Sequence, residues 1–209
     1  MRVAKRTAEI LKRLDEAYGV EDRCGLDYET DWQLLFATQL SAQCTDARVN
    51  VVTKDLFRKY KTVEDFAAAD LHELEEDIKS TGFYHNKAKN LISSARDIIH
   101  RFGGRVPDNM DDLLTLAGVG RKTANVLLGH IHRVPGIVVD THVKRISGRL
   151  GLTTETDPVK IEFDLYKKIP VENRIRYNFQ LITLGREICT ARNPGCSECF
   201  LNDICKWQK

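Results

Sequence analysis

Apolar side chains recur at helical spacing along most of this 209-residue chain. Val49, Val52, Leu56 and Tyr60 form one stripe, Leu91, Ala95, Ile98 and Ile99 a second, and Val143, Ile146 and Leu150 a third. From Asp31 to Leu40 the polar face nearly vanishes, which predicts a central helix buried on all sides. Boundary signals bracket these segments. Asp157-Pro158 reads as a cap followed by proline at the first helical position, and Gly103-Gly104 as a helix stop. Only the stretch from Gly136 to Val139 has strand character, and it is too short and isolated to imply a sheet. Neither a long-period repeat nor a low-complexity linker interrupts the pattern. The expected fold class is all-α.

Composition adds little to this picture and charge placement adds more. Hydrophobic content of 42% and charged content of 30% are those of an ordinary globular chain able to bury a core. The first residues carry charges every few positions, so no apolar stretch can act as a signal peptide, and no window reaches the roughly 18 apolar residues of a membrane span. The expected location is cytoplasmic, at the nucleoid. The net charge is only +2. Between Gly118 and Leu150, however, Arg121, Lys122, Arg133, Lys144, Arg145 and Arg149 face a single acid, Asp140. Seven acids and no Lys or Arg fall between Val63 and Asp77. Such polarity lets one face meet a polyanion, while the acidic run is expected to be a solvated helix surface.

Four of six cysteines crowd into the last 21 residues as Cys189, Cys196, Cys199 and Cys205, spaced C-x6-C-x2-C-x5-C. In a chain expected to be intracellular, such clustering points to metal before disulfides. Four thiolates suit zinc or an iron–sulfur cluster. Structural zinc sites usually pair two short knuckles, and here only Cys196 and Cys199 form one, which favours a four-iron cluster wrapped by a single loop. Cys24 and Cys44 are expected to be small buried hydrophobes.

From Leu113 to Gly129 the chain reads as a helix, a Gly-Val-Gly turn and a second helix. Gly118 and Gly120 allow a tight turn and close approach to another molecule, and the amides opening the next helix can bind phosphate without reading bases. Lys122 sits in the first turn of that helix, where the backbone dipole disfavours a cation. Such conflicts gather at functional sites. A Schiff-base nucleophile, which must act as a free amine, and a phosphate contact beside Arg121 are equal readings of the residue alone. Asp140 stands where an N-cap belongs, before Thr-His-Val-Lys-Arg-Ile. Among so many bases, its carboxylate can also steady a developing sugar cation or move protons. His142 is expected to be a structural hydrogen-bonding residue.

Taken together, Leu40-Ser-Ala-Gln43 with Thr45-Asp46, the Gly82–Ala88 segment, Gly118–Asn125, Val139-Asp-Thr-His142 and the four-cysteine loop resemble the endonuclease III family of DNA glycosylases. The match is collinear from about residue 3 to residue 205. The resemblance implies a two-lobed helix-hairpin-helix fold: a six-helix domain over 24–134, and a discontinuous domain of 1–23 and 135–209 holding a 4Fe–4S cluster on the four cysteines. It implies a monomer acting on double-stranded DNA that carries damaged pyrimidines or abasic sites. Lys122 then attacks C1′ of a flipped nucleotide with help from Asp140, and β-elimination cuts the strand. Gln43 and Phe83 fill and wedge the base stack, while Gly118, Gly120, Arg121 and Arg192 contact DNA.

Three departures from the family pattern stand out. Ala117 replaces the hairpin proline, Phe83 a common leucine, and Arg192 is the lone base in a cluster loop that often carries several. Two other functions compete. A monofunctional adenine or mismatch-thymine glycosylase typically lacks a lysine at position 122, and a non-catalytic iron–sulfur DNA-binding module leaves Lys122 and Asp140 without a role.

Overall fold

The computed structural model describes residues 3–207, which form helices and turns with no strand among them. Eleven α-helices follow one another: α1 (Val3–Tyr18), α2 (Asp31–Leu40), α3 (Asp46–Lys59), α4 (Val63–Ala67), α5 (Leu71–Ile78), α6 (Tyr84–Phe102), α7 (Met110–Leu113), α8 (Arg121–His130), α9 (Thr141–Arg149), α10 (Pro158–Tyr166) and α11 (Arg174–Glu187). They divide between two compact units, Cys24–Arg133 and Met1–Arg23 with Val134–Lys209.

In the Cys24–Arg133 unit, α2 runs through the core, with every residue from Leu34 to Leu40 buried. Its apolar circumference leaves no face to give to water, so helices must cover it from several sides. Thr30 starts it with a capping box to Gln33. Phe36 and Phe66 are fully buried and meet edge-on, their ring centroids 4.8 Å apart, and Trp32 and Tyr60 pack around Phe66. Helix α6 turns its Leu91–Ala95–Ile98 stripe into this cluster and stops at Gly103, whose φ of +61° gives the left-handed C-terminal turn that glycine tolerates. The acidic run is less solvated than its composition suggests. Glu75 is buried, and one of its carboxylate oxygens lies 2.8 Å from His85 Nδ1.

The second unit gathers α1, α9, α10 and α11 around Ile10, Leu14, Ile146, Leu165, Tyr177 and Leu181. Asp157 caps α10 ahead of Pro158, as its sequence predicts. The strand-like stretch forms no regular element. It buries Ile137 and Val138, and the Val138 carbonyl accepts a bond of 3.1 Å from Asn178. A polar hub joins the N-terminal helix to α11: Asp15 accepts from Arg176 Nε at 2.8 Å, Arg176 Nη2 at 3.0 Å and Gln180 Nε2 at 2.8 Å. The Arg176 guanidinium above all holds the Asp15 carboxyl below its ordinary pKa, against the opposing effect of burial.

A carboxyl whose pKa falls on folding stabilises the fold above its unfolded value and loses that contribution as pH drops through the folded one. Asp15→Asn is therefore expected to lower the unfolding free energy by about 1–3 kcal/mol near neutral pH. The gap to wild type should narrow below about pH 4, as read by denaturant titrations across pH.

Candidate active site

In the Cys24–Arg133 unit, the hairpin is a tight turn between a very short helix and a longer one. The first helix, expected to include Leu113 and the residues after it, instead ends there: α7 is capped by Asn109 and spans only Met110–Leu113. Bonds from Leu116 N to Leu113 O and from Val119 N to Leu116 O then carry the chain around in short turns. Gly118 has φ +72°, and a Cβ there would stand 2.6 Å from Asn90 Nδ2, so both conformation and space require glycine. Gly120 differs. It is the extended N-cap of α8, its φ is −98°, and nothing crowds it. Lacking a side chain to cap α8, it leaves the first amides of that helix available to an outside acceptor.

With Ala117 in the proline's place, the turn is held from behind. The Ala117 carbonyl accepts bonds from Gln39 Nε2 at 2.7 Å and Ser94 Oγ at 3.0 Å, and Gln39 also donates to Ser94. Sequence reasoning passed over these buried polar residues. Their signal was the Lys87, Asn90 and Ser94 spacing, one polar row of α6 beside its apolar stripe.

Lys122 is the second residue of α8, exposed, and makes no hydrogen bond or ion pair among the described residues. Arg121 beside it is half-buried and engaged. On the same unit, Gln43 and Phe83 both adopt left-handed backbone, φ +56° and +51°, and both are exposed, Phe83 to 63%. They line one cavity together with Gly118. The unit thus brings together three of the residues expected to meet DNA.

The other unit holds the remaining candidates. Asp140 is the N-cap of α9, its Oδ1 accepting from Val143 N at 2.8 Å. Two residues on, His142 Nδ1 lies 3.3 Å from Arg145 Nη2. Burial keeps the His142 imidazole below its usual pKa, and the Arg145 and Arg186 charges push the same way against the Asp140 carboxylate. This close packing depends on Gly185 of α11, where a Cβ would clash with the His142 ring. Arg192 is exposed on the loop after Cys189.

None of the four clustered cysteines is in a disulfide, and all four line one cavity together with Trp207. Burial raises the Cys199 thiol above its ordinary pKa, and the neighbouring Cys189, Cys205 and Cys196 add to the rise. No three His, Cys, Asp or Glu side chains among the described residues are placed to hold a single metal ion. Four cysteine sulfurs around one cavity fit a polynuclear iron–sulfur group, and coordination would deprotonate each of them. Arginines fix the surrounding loop. Arg149 donates to Cys189 Sγ at 3.2 Å, Thr190 O at 2.7 Å and Ala191 O at 2.9 Å, with its guanidinium 4.5 Å from the Trp207 ring centre. Arg145 reaches Cys189 O, Arg13 reaches Phe200 O, and Arg6 reaches Ile204 O. Cys24 and Cys44 are half-buried against the other unit's core, in keeping with their expected packing role.

These features define a class. Residues 36–171 match the model of the HhH-GPD superfamily base excision DNA repair proteins, and residues 189–205 that of the iron–sulfur binding domain of endonuclease III, the second span beginning and ending on a clustered cysteine. Endonuclease III of Synechocystis sp. is 51% identical over 202 residues, 96% of this chain and 92% of the relative, and that of Bacillus subtilis 48% identical over 184 residues, 88% and 84%. A solved structure of a trapped endonuclease III–DNA covalent intermediate superposes with a TM-score of 0.92 at 41% identity, covering 99% of this chain and 97% of that one. The chain belongs to the endonuclease III family, the DNA glycosylase/AP lyases of base excision repair, and its cofactor is a 4Fe–4S cluster. No described helix is long and apolar enough to cross a membrane.

Losing a residue that orients a metal ligand typically costs about 10–100-fold in metal retention. Arg149→Ala is expected to release iron faster by that order, measured as loss of visible absorbance under chelator. Wild type should carry about four irons per chain.

Proposed function

We propose that this protein removes oxidised or ring-saturated pyrimidines from double-stranded DNA through Lys122 and then cuts the strand at the abasic site. The observation that carries this is Lys122 itself: an exposed amine at the positive end of α8, with no partner among the described residues. Other exposed lysines also lack partners among the described residues, but Lys122 stands in the first turn of its helix, where the backbone dipole disfavours an ammonium.

The uncapped amides of α8, with Arg121 and the close-approach turn at Gly118 and Gly120, take the phosphate backbone without reading sequence. Gln43 and Phe83 enter the stack on either side of the extruded nucleotide, and damage that weakens stacking lowers the cost of extrusion. The Nζ lone pair attacks C1′, the bond from C1′ to the base breaks, and its electron pair leaves with the base, which takes up a proton. Loss of the amine proton and opening of the sugar ring give an imine. Its protonated form draws electrons as a C2′ proton is lost and the 3′ phosphate departs. Asp140 spends one oxygen on the α9 cap. Its carboxylate offsets positive charge on the sugar and relays these protons. Arg192 adds a phosphate contact. Cys189, Cys196, Cys199 and Cys205 hold the 4Fe–4S cluster, whose part is to order the loop around them. Both proposed reacting groups come from one chain, so a monomer suffices, and it works where the chromosomal DNA is.

Borohydride should trap wild type covalently on thymine-glycol duplex, and Lys122→Ala should leave no adduct. Asp140→Asn should slow single-turnover strand scission by about 10²–10⁴-fold. Base release without any trapped adduct would instead make the protein a monofunctional glycosylase.

A further inference from the structure

One buried cation has no part in the chemistry above. Lys87 lies in the first turn of α6, the positive end of that helix, and only 5% of its surface is exposed. Position and burial both disfavour an ammonium there, and burial pushes its pKa below the ordinary lysine value. No carboxylate pairs with it among the described residues. Instead Nζ donates to Leu40 O at 2.8 Å and to Thr81 O at 2.8 Å. Leu40 is the last residue of α2, and Thr81 the last of a 3₁₀ turn, Lys79–Thr81. The ammonium therefore sits at the negative ends of two helical segments at once, where carbonyls otherwise lack partners.

Both carbonyls stand at the roots of exposed loops. Three residues beyond Leu40 the chain reaches Gln43, and two beyond Thr81 it reaches Phe83. These are two of the three non-glycine residues with positive φ among those described, and left-handed backbone at such residues is costly unless its surroundings impose it. Gln43, Phe83 and Lys87 line the same cavity. A single side chain thus ties the two loops together.

We propose that Lys87 is a positioning residue that sets the two inserting side chains, Gln43 and Phe83, in register with each other before DNA arrives. This rests on the proposed function in assigning insertion to those residues. Preorganisation matters here because a misplacement of about 1 Å can cost on the order of 10²-fold in rate.

The test uses the full-length holo-protein with Lys87→Met, which keeps the apolar stem and removes the donors, and with Lys87→Arg, which keeps the charge on a planar fork that cannot reproduce both bonds. Two abasic substrates are compared: a paired duplex, which needs insertion, and a single-stranded oligonucleotide, which does not. Lys87→Met is expected to slow single-turnover scission on the duplex by about 10–100-fold while staying within about twofold on the single strand. The Arg variant should show the same pattern with a smaller loss. In a Gln43→Ala/Phe83→Ala background, Lys87→Met should add nothing further. Equal losses on both substrates, or no loss on the duplex, overturn the proposal.

Hydrogen exchange gives a readout independent of activity. Amides from Ala42 to Cys44 and from Gly82 to Tyr84 should exchange at least about tenfold faster in the Met variant, and in the Arg variant if the Met variant does not fold, with the buried centre of α2 unchanged. Unchanged exchange in both loops also overturns the proposal. Wild type inert on every lesion and abasic substrate would overturn the functional assignment alone, leaving Lys87 to be judged by exchange.

Discussion

Helix ends and turns leave carbonyls with no partner inside the element, and the turns of this protein depend on how buried and half-buried side chains satisfy them. In the Cys24–Arg133 unit, Gln39 and Ser94 hold the Ala117 carbonyl, and Lys87 holds those of Leu40 and Thr81. In the other unit, Arg149, Arg13 and Arg6 do the same along the cysteine loop. A chain built from short helices and sharp turns has many such carbonyls, and leaving one buried and unmade costs about 1–3 kcal/mol. Two of the six bases that suggest a polyanion partner, Arg145 and Arg149, are therefore spent on the cysteine loop.

What remains unsatisfied is then informative. The amides opening α8 have no side-chain cap, and the amine of Lys122 has no partner among the described residues, although nearby turns are tied down by several bonds. A rigid frame around an unpaired donor set is how a protein keeps groups ready for a ligand without reorganising when it arrives. The cysteine loop obeys the same logic with arginines as its frame, one of which bonds a cysteine sulfur directly.

The helices were legible because periodicity and caps are local. The Asp157-Pro158 start, the Gly103 stop and the enclosed α2 all stand where hydrophobic pattern and turn chemistry put them. The first hairpin helix was overread, since Leu114 and Leu116 continue an apolar pattern that the backbone leaves in short turns after Leu113. Gly118 and Gly120 look equivalent in sequence, yet only Gly118 combines a positive φ with Asn90 standing where a Cβ would go, while Gly120 has an ordinary φ and open space around it. Glu75 sits in a run of solvated acids and is buried nonetheless, beside a histidine ten residues on.

By itself the sequence determined the helical class, the cap residues and the side-chain types at the candidate positions Lys122, Asp140 and the four cysteines, since each depends on a residue and its near neighbours. Tertiary structure alone decided which buried polar groups meet: Gln39 and Ser94 behind the hairpin, Lys87 beneath two loops, Gly185 against His142, and Arg149 on Cys189. All but the Lys87–Thr81 contact join residues tens of positions apart, with no pattern to announce them. A buried donor bonds to whichever acceptor packing brings within 3 Å or so, and that is a property of the folded chain.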